Sequence, residues 1–306
     1  MTANTQDPNA LRASLNGIAG ILVTPYEGDE IAPMRLQPIV DRAIAAGIHT
    51  LVTNGNTSEF YALTSTETER MVQAAAEIVG GRVPLIAGVG RSIKEAQQLA
   101  RISAGAGASA LMVHQPPDPF VSPRGVLDYV KALADAADGL PLLLYIRNEN
   151  IGLHTIEALC GLPTVAGIKW ASPTPLVLAE AIRRTEGRDI AWIGGLAETW
   201  APAFYAVGAR GFTSGLINVY PTHSYAIHQA LERGDYPGAM RLIGLMRDFE
   251  ELRAEENNGT NVSVVKAALR IMGDDCGATR PPSAWPLTPA AQDRLAALLD
   301  SGKLQA

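Results

Sequence analysis

Apolar residues follow two alternating rhythms along most of the chain. Short strand-like segments, most of them continuous apolar runs, occupy 17–24, 50–54, 84–89, 108–114, 141–145, 165–169, 190–194 and 210–214. Between them, apolar residues return at helical spacing over 34–46, 65–79, 93–106, 124–137, 155–159, 175–185, 199–207 and 221–233. A strand with one wet face alternates apolar and polar residues, whereas an unbroken run is expected where helices cover both faces of a parallel sheet. Eight strand–helix pairs predict an α/β fold, a (β/α)8 TIM barrel over 17–234, with an open doubly wound sheet as the rival. Thr64 or Ser65, with Glu67 close behind, marks the N-cap of the helix at 65–79. Gly88-Val89-Gly90 lacks the third glycine of a dinucleotide-binding turn.

After 234 the strand signal stops. Helical spacing at 236–255, 261–272 and 289–299 predicts a C-terminal helical extension over 235–306. Arg280-Pro281-Pro282 and Trp285-Pro286-Leu287 read as a stiff connector before the last helix. Asn257-Asn258-Gly259 and Asp274-Asp275 read as turns, the second solvated. Residues 1–16 are expected to form a short flexible lead-in, since the first fifteen are polar and lack a basic-then-apolar export pattern.

Composition narrows the class. At 47% hydrophobic residues the 306-residue chain can build a full core, which excludes a disordered chain. The formal net charge of -6 argues against nucleic acid or an anionic membrane surface as partner. No apolar run approaches the roughly 20 residues needed to span a bilayer. The two cysteines, Cys160 and Cys276, lie far apart and give no disulfide framework, which fits a reducing, cytoplasmic setting.

The candidate chemistry lies at the C-terminal ends of the strands, where barrels of this kind carry their sites. Lys169 ends the run Val165-Ala166-Gly167-Ile168. A lysine there either snorkels to water or is buried, and burial would favour the neutral amine that acts as a nucleophile. Tyr145 ends the preceding run, either as a rim aromatic or as a group able to shuttle a proton. Gly55-Asn56-Thr57-Ser58 offers amides and hydroxyls that could hold a carboxylate, or could simply cap a helix. Glu59 follows, as a buried structural carboxylate or a polar contact beneath the site. His114, Arg147, Gly195, Thr213 and Ser214 sit at other strand ends and are candidate substrate-binding residues. No second ligand stands at metal spacing from His114, so no metal is expected.

In combination these stretches resemble the dihydrodipicolinate synthase / N-acetylneuraminate lyase family of class I aldolases. The matching segments are 20–26 (GILVTPY), Gly55-Asn56-Thr57-Ser58-Glu59 for the family's Gly-[Thr/Ser]-Thr-Gly-Glu, Leu144-Tyr145, Gly167-Ile168-Lys169, Arg280-Pro281-Pro282 and Pro286-Leu287. The resemblance spans nearly the whole chain, from Gly17 to Leu299. It implies a (β/α)8 barrel with C-terminal helices, a cofactor-free mechanism, and a homotetramer built as a dimer of dimers. It also implies Lys169 as Schiff-base former, Tyr145 as proton shuttle, and Asn56 and Thr57 at the keto-acid carboxylate.

The departures bear on substrate. Asn56 stands where the namesake synthase has a proton-relaying threonine, and Ser58 where it has glycine. His114-Gln115-Pro116-Pro117 replaces a tyrosine pair, and Asn150 falls near the arginine for a second carboxylate, with Arg147 a partial substitute. Glu59-Phe60 and Ser214-Gly215-Leu216-Ile217-Asn218 resemble the sugar-acid branch, such as 5-dehydro-4-deoxyglucarate dehydratase. The leading expectation is therefore a class I lyase forming a Schiff base with a small-molecule 2-keto acid, either a pyruvate-type aldolase or a keto-deoxy sugar acid dehydratase. The alternatives are 4-hydroxy-tetrahydrodipicolinate synthase activity and a catalytically silent keto-acid-binding protein on the same scaffold.

Overall fold

The computed structural model describes residues 8–304, with side chains from Leu11 onward. Its strands are β1 (Ile18–Ile21), β2 (Tyr26–Glu27), β3 (Glu30–Ile31), β4 (Thr50–Thr53), β5 (Leu85–Val89), β6 (Ala110–His114), β7 (Leu142–Ile146), β8 (Val165–Trp170), β9 (Ala191–Gly194) and β10 (Phe212–Ser214). Eight of them close into a barrel in the order β1-β10-β9-β8-β7-β6-β5-β4. β2 and β3 form a separate antiparallel ribbon, which the apolar runs did not reveal because it is only two residues wide on each side. Every residue of the eight barrel strands is buried, which explains the unbroken apolar runs: neither face of this sheet meets water.

The helices are α1 (Pro8–Leu15), α2 (Gln37–Ala45), α3 (Ser65–Val79), α4 (Ile93–Gly105), α5 (Pro123–Ala136), α6 (Leu153–Cys160), α7 (Pro175–Arg184), α8 (Ala197–Ala206) and α9 (Pro221–Glu232). They continue with α10 (Tyr236–Leu245), α11 (Arg247–Asn258), α12 (Asn261–Ile271) and α13 (Pro289–Asp300). Thr64 is the N-cap of α3: its hydroxyl accepts from the Glu67 N–H while the Glu67 carboxylate accepts from the Thr64 N–H, a reciprocal capping box. No helix among the described residues is long and apolar enough to cross a membrane.

Three expectations need correction. Part of the expected flexible lead-in is α1, whose Leu11 and Leu15 are buried and whose Arg12 pairs with Asp189 at 2.8 Å. Two apolar residues one turn apart suffice to dock so short a helix; residues 1–7 lie outside the described residues. The single helix expected over 236–255 breaks at Met246 into α10 and α11. The break leaves Met246, Phe249 and Leu252 all fully buried, so tertiary packing overrides an unbroken helical period. Asp274 is no solvated turn residue. It pairs with Arg42 at 2.7 Å, and Arg42 also donates to the Asn218 carbonyl at 2.6 Å. The turn at 257–259 does form, with Asn257 and Asn258 at φ of 57° and 67°, a conformation asparagine tolerates better than most residues.

Packing groups the residues into two compact units. The first comprises the described residues before Gly20, His49–Val52 and Gly80–Thr213. Within it, β8 carries a bulge against β7: Leu142 pairs with Val165 but Leu143 with Gly167, so Ala166 is the extra residue. Gly167 follows because a Cβ there would come within 2.9 Å of the Ala191 carbonyl oxygen and press on Leu143 and Leu15. Beyond the bulge the register runs Leu144 to Ile168 and Tyr145 to Lys169.

The second unit comprises Gly20–Ile48, Thr53–Val79 and the residues from Ser214 on. At its centre Lys266 of α12 meets Glu59 at 2.6 Å with both side chains buried, and Lys266 Nζ also donates to the Ala278 carbonyl at 2.9 Å. The ring of Tyr26 takes Lys266 Nζ at 4.1 Å and Arg280 at 4.5 Å from its centroid. Arg280 in turn holds Glu67 at 2.7 Å and drives that carboxyl down to about 2, while its own N–H donates to Glu59 at 2.8 Å. Desolvation lowers the pKa of Lys266, and Glu59 opposes it. Removing one partner of such a pair strands the other charge in the core, so Lys266→Met is expected to cost about 3–5 kcal/mol in urea unfolding. The double variant Glu59→Gln/Lys266→Met is expected to recover most of that loss; equal destabilisation of single and double variants would refute the pairing.

Candidate active site

The register beyond the β8 bulge sets one row of side chains across three strands: His114 pairs with Tyr145, and Tyr145 with Lys169. Residues paired across a parallel sheet point to the same face, so a slip of one residue would send Lys169 to the other side. Its neighbour Trp170 does lie the other way, fully buried beside Trp192 with ring centroids 6.5 Å apart. The row is dry: His114 is 1% exposed, Tyr145 5% and Lys169 3%. Lys169 Nζ lies 3.9 Å from the centroid of the Tyr145 ring, and the His114 ring is tilted against Tyr145 at 5.6 Å.

Burial with no carboxylate to compensate is what tunes this lysine. Desolvation, joined by the like charge of Arg147, lowers Lys169 from 10.5 to about 7. Arg147 itself is exposed, with its guanidinium carbon 5.9 Å from the Tyr145 centroid. Two residues fix its backbone. Gln115 Oε1 accepts from the N–H groups of Arg147 and Asn148, both at 2.8 Å, and the Ser172 hydroxyl donates to the Arg147 carbonyl at 3.1 Å. Sequence reasoning named Gln115 only as a neighbour of His114 and passed over Ser172; nothing in either residue's local pattern points to Arg147. Gly195 donates its N–H to the Trp170 carbonyl at 2.6 Å, and a Cβ there would stand 2.7 Å from that of Ala171, so no larger residue fits. Thr213 is buried near the end of β10.

The turn after β4 belongs to the second unit. Two left-handed residues bracket it, Asn54 at φ 56° and Glu59 at φ 58°. Such strain persists only when the surroundings enforce it. Asn54 Nδ2 donates to the Thr68 carbonyl at 3.0 Å, and Glu59 is held by Lys266 and Arg280. Ser58 is spent internally: its hydroxyl accepts from the Gly55 N–H at 3.0 Å and donates to the Leu22 carbonyl at 2.5 Å. Ser214 is likewise occupied, with Ser224 at 3.1 Å and the Ile217 N–H at 3.3 Å. Of the expected binding residues in this unit, Asn56 is partly exposed and Thr57 is buried, 7% exposed. No group of three or more potential metal ligands occurs among the described residues.

The row can do amine chemistry. A lysine whose proton is half gone near pH 7 can attack a carbonyl, and a phenol packed on it can carry protons to and from the adduct. The sequence profile of the Dihydrodipicolinate synthetase family matches residues 14–301. A Streptomyces avermitilis protein named "Probable 5-dehydro-4-deoxyglucarate dehydratase 1" is 33% identical over 309 residues, covering 97% of both chains. A 4-hydroxy-tetrahydrodipicolinate synthase of Thermomicrobium roseum is 32% identical over 292 residues, covering 94% of both. The crystal structure of dihydrodipicolinate synthase from Bacillus clausii superposes with a TM-score of 0.91 at 35% identity, covering 96% of this chain and 99% of that one. With the profile spanning the barrel and the C-terminal helices alike, the chain belongs to the dihydrodipicolinate synthetase family and is a lyase-type enzyme on a (β/α)8 barrel.

Proposed function

We propose that the protein is a class I lyase that binds a 2-keto acid as a Schiff base on Lys169. The observation that carries this reading is the buried amine of Lys169 lying against the Tyr145 ring. The neutral amine attacks the keto carbon, water leaves, and the resulting iminium takes up the electron pair released at the neighbouring carbon when a C–C or C–H bond there breaks; in dehydration the enamine so formed then expels the hydroxyl of the next carbon as water once it is protonated. Tyr145 moves the protons. Asn56 and Thr57 hold the carboxylate, while His114, Arg147, Gly195 and Thr213 border the remainder of the substrate. Ser58 and Ser214 support their turns instead, because their hydroxyls are already engaged.

The relatives named as 5-dehydro-4-deoxyglucarate dehydratases favour a keto-deoxy sugar acid that loses water. The relative named as a 4-hydroxy-tetrahydrodipicolinate synthase keeps condensation of a keto acid with an aldehyde as the second reading. Product analysis separates them: a semialdehyde formed without pyruvate supports dehydration, pyruvate release supports aldol cleavage, and pyruvate consumption with an added semialdehyde supports the synthase. The reading also includes a homotetramer, a dimer of dimers, working in the cytoplasm. Sedimentation at micromolar concentration tests the first and fractionation of the source cells the second.

Borohydride reduction in the presence of pyruvate is expected to add one reduced adduct per chain, located on Lys169 by peptide mass and absent from Lys169→Met. Tyr145→Phe is expected to keep trapping while turnover falls by about 10²–10⁴, the usual range for a lost proton shuttle. Trapping without turnover in the wild type would leave only the silent binding protein.

The pH dependence has a definite sign. Attack needs the unprotonated amine, so adduct formation is expected to rise through about pH 7 and level off above it, where an ordinary lysine would still be rising near 10.5. Because Arg147 is one of the two causes of that lowering, Arg147→Met is expected to move the acid limb to higher pH. Rapid-mixing rates of adduct formation from pH 5 to 10 check both, and a limb near 10 in the wild type would remove the activated-lysine account.

A further inference from the structure

The strand that carries His114 runs directly into two prolines. After Gln115 come Pro116 and Pro117, neither of which has a backbone N–H to give. The last backbone bond between this strand and β7 runs from the Gln115 N–H to the Tyr145 carbonyl at 3.3 Å. A parallel ladder would next use the N–H two residues on, at Pro117, so backbone pairing stops there. The Gln115 side chain takes over. Its Oε1 accepts from the N–H groups of Arg147 and Asn148, each at 2.8 Å, and its Nε2 donates to the Asn148 carbonyl at 3.0 Å. One amide thus meets both polar groups of the Asn148 backbone and extends the pairing past the end of β7.

What this clamp holds is the position of a charge. Arg147 lies two residues beyond Tyr145, with its guanidinium carbon 5.9 Å from the Tyr145 ring centroid, while Lys169 Nζ lies 3.9 Å from the same centroid. The Arg147 carbonyl, which Pro117 cannot serve, accepts from the Ser172 hydroxyl at 3.1 Å instead. Around Lys169 the neighbouring strands present Tyr145 on β7, with His114 of β6 behind it, and Ile193 on β9. Beside desolvation, the charge that acts on Lys169 is that of Arg147. Glu149 is the acidic group of the same loop. Desolvation works against its carboxylate, but hydrogen bonding holds it below the usual range, so it stays ionised while Lys169 titrates. A guanidinium that swings into solvent is farther away and better screened, and disfavours the ammonium less.

We propose that Gln115 is a positioning residue for the reaction at Lys169: its side-chain amide, acting through the backbone of Arg147, holds the guanidinium beside the Tyr145 ring and so sets how readily the amine forms its adduct. The segment after β6 thereby takes part in the chemistry through backbone it holds rather than through the substrate. This inference rests on the keto-acid reading above, because it concerns the step in which that amine attacks.

The test uses Gln115→Met, which keeps the length of the side chain and removes all three of its bonds, alone and combined with Arg147→Met. Rapid-mixing rates of adduct formation with pyruvate are read from pH 5 to 10, and folding is checked by thermal melting. Gln115→Met is expected to move the acid limb upward by about 0.5–1 pH units, about a three- to tenfold loss of rate below the limb. In the Arg147→Met background the same change is expected to move the limb no further, because the charge it positions is gone. An unmoved limb in Gln115→Met overturns the proposal. So do shifts that add in the double variant, which assign Gln115 a role independent of Arg147. Should Gln115→Met fail to fold, Gln115→Asn replaces it: its amide is one carbon too short to reach Arg147 and Asn148 together, and an unmoved limb there overturns the proposal equally. A wild type that forms no adduct removes the Schiff-base reading instead. The rate of Lys169 acetylation by acetic anhydride over the same pH range, located by peptide mass, then reads the amine directly and decides the role of Gln115.

Discussion

The structure depends on the free energy of removing a lysine from water. An ammonium in a dry interior must find a counter-charge or lose its proton, and this fold contains one lysine that does each. Lys266 has Glu59 at 2.6 Å and serves as a pin in the core of the second unit. Lys169 has no carboxylate among the causes of its shift; desolvation and the like charge of Arg147 both push it toward the neutral amine. The same residue type becomes a structural tie in one place and is pushed toward the neutral amine in the other, and the presence of a carboxylate decides which.

Holding a reactive amine this way requires backbone control of a fraction of a strand repeat. The extra residue Ala166 and the side-chain-free Gly167 set the β7–β8 register, and that register pairs Tyr145 with Lys169. Gln115 and Ser172 then fix the backbone of Arg147, the second cause of the lowered pKa. None of these groups is itself reactive. Their contribution is to keep a desolvated amine, a phenol ring and a remote positive charge in one arrangement.

The second unit controls its turn by different means. Left-handed Asn54 and Glu59 bracket the segment, Ser58 ties it to the Leu22 carbonyl, and the Glu59–Lys266–Arg280 cluster anchors its far end. Asn56, partly exposed, and Thr57, buried, lie between these anchors.

The sequence by itself determined the barrel and placed a lysine and a tyrosine at adjacent strand ends. A sheet covered on both faces leaves continuous apolar runs, so all eight barrel strands were legible to within three residues, and a lysine and a tyrosine closing two such runs could be read directly. It did not reveal α1, the β2–β3 ribbon or the break at Met246, where packing outweighs a short or uninterrupted local pattern. Nor could it reveal that the Ser58 hydroxyl is tied to the Leu22 carbonyl or the Ser214 hydroxyl to Ser224. Lys266 left a trace, a charge amid the apolar positions of a helix, but its meaning required Glu59, more than two hundred residues earlier. Local chemistry is written residue by residue, whereas burial and partnership are properties of the folded chain, and only tertiary structure decided which buried lysine is compensated by a carboxylate and which is not.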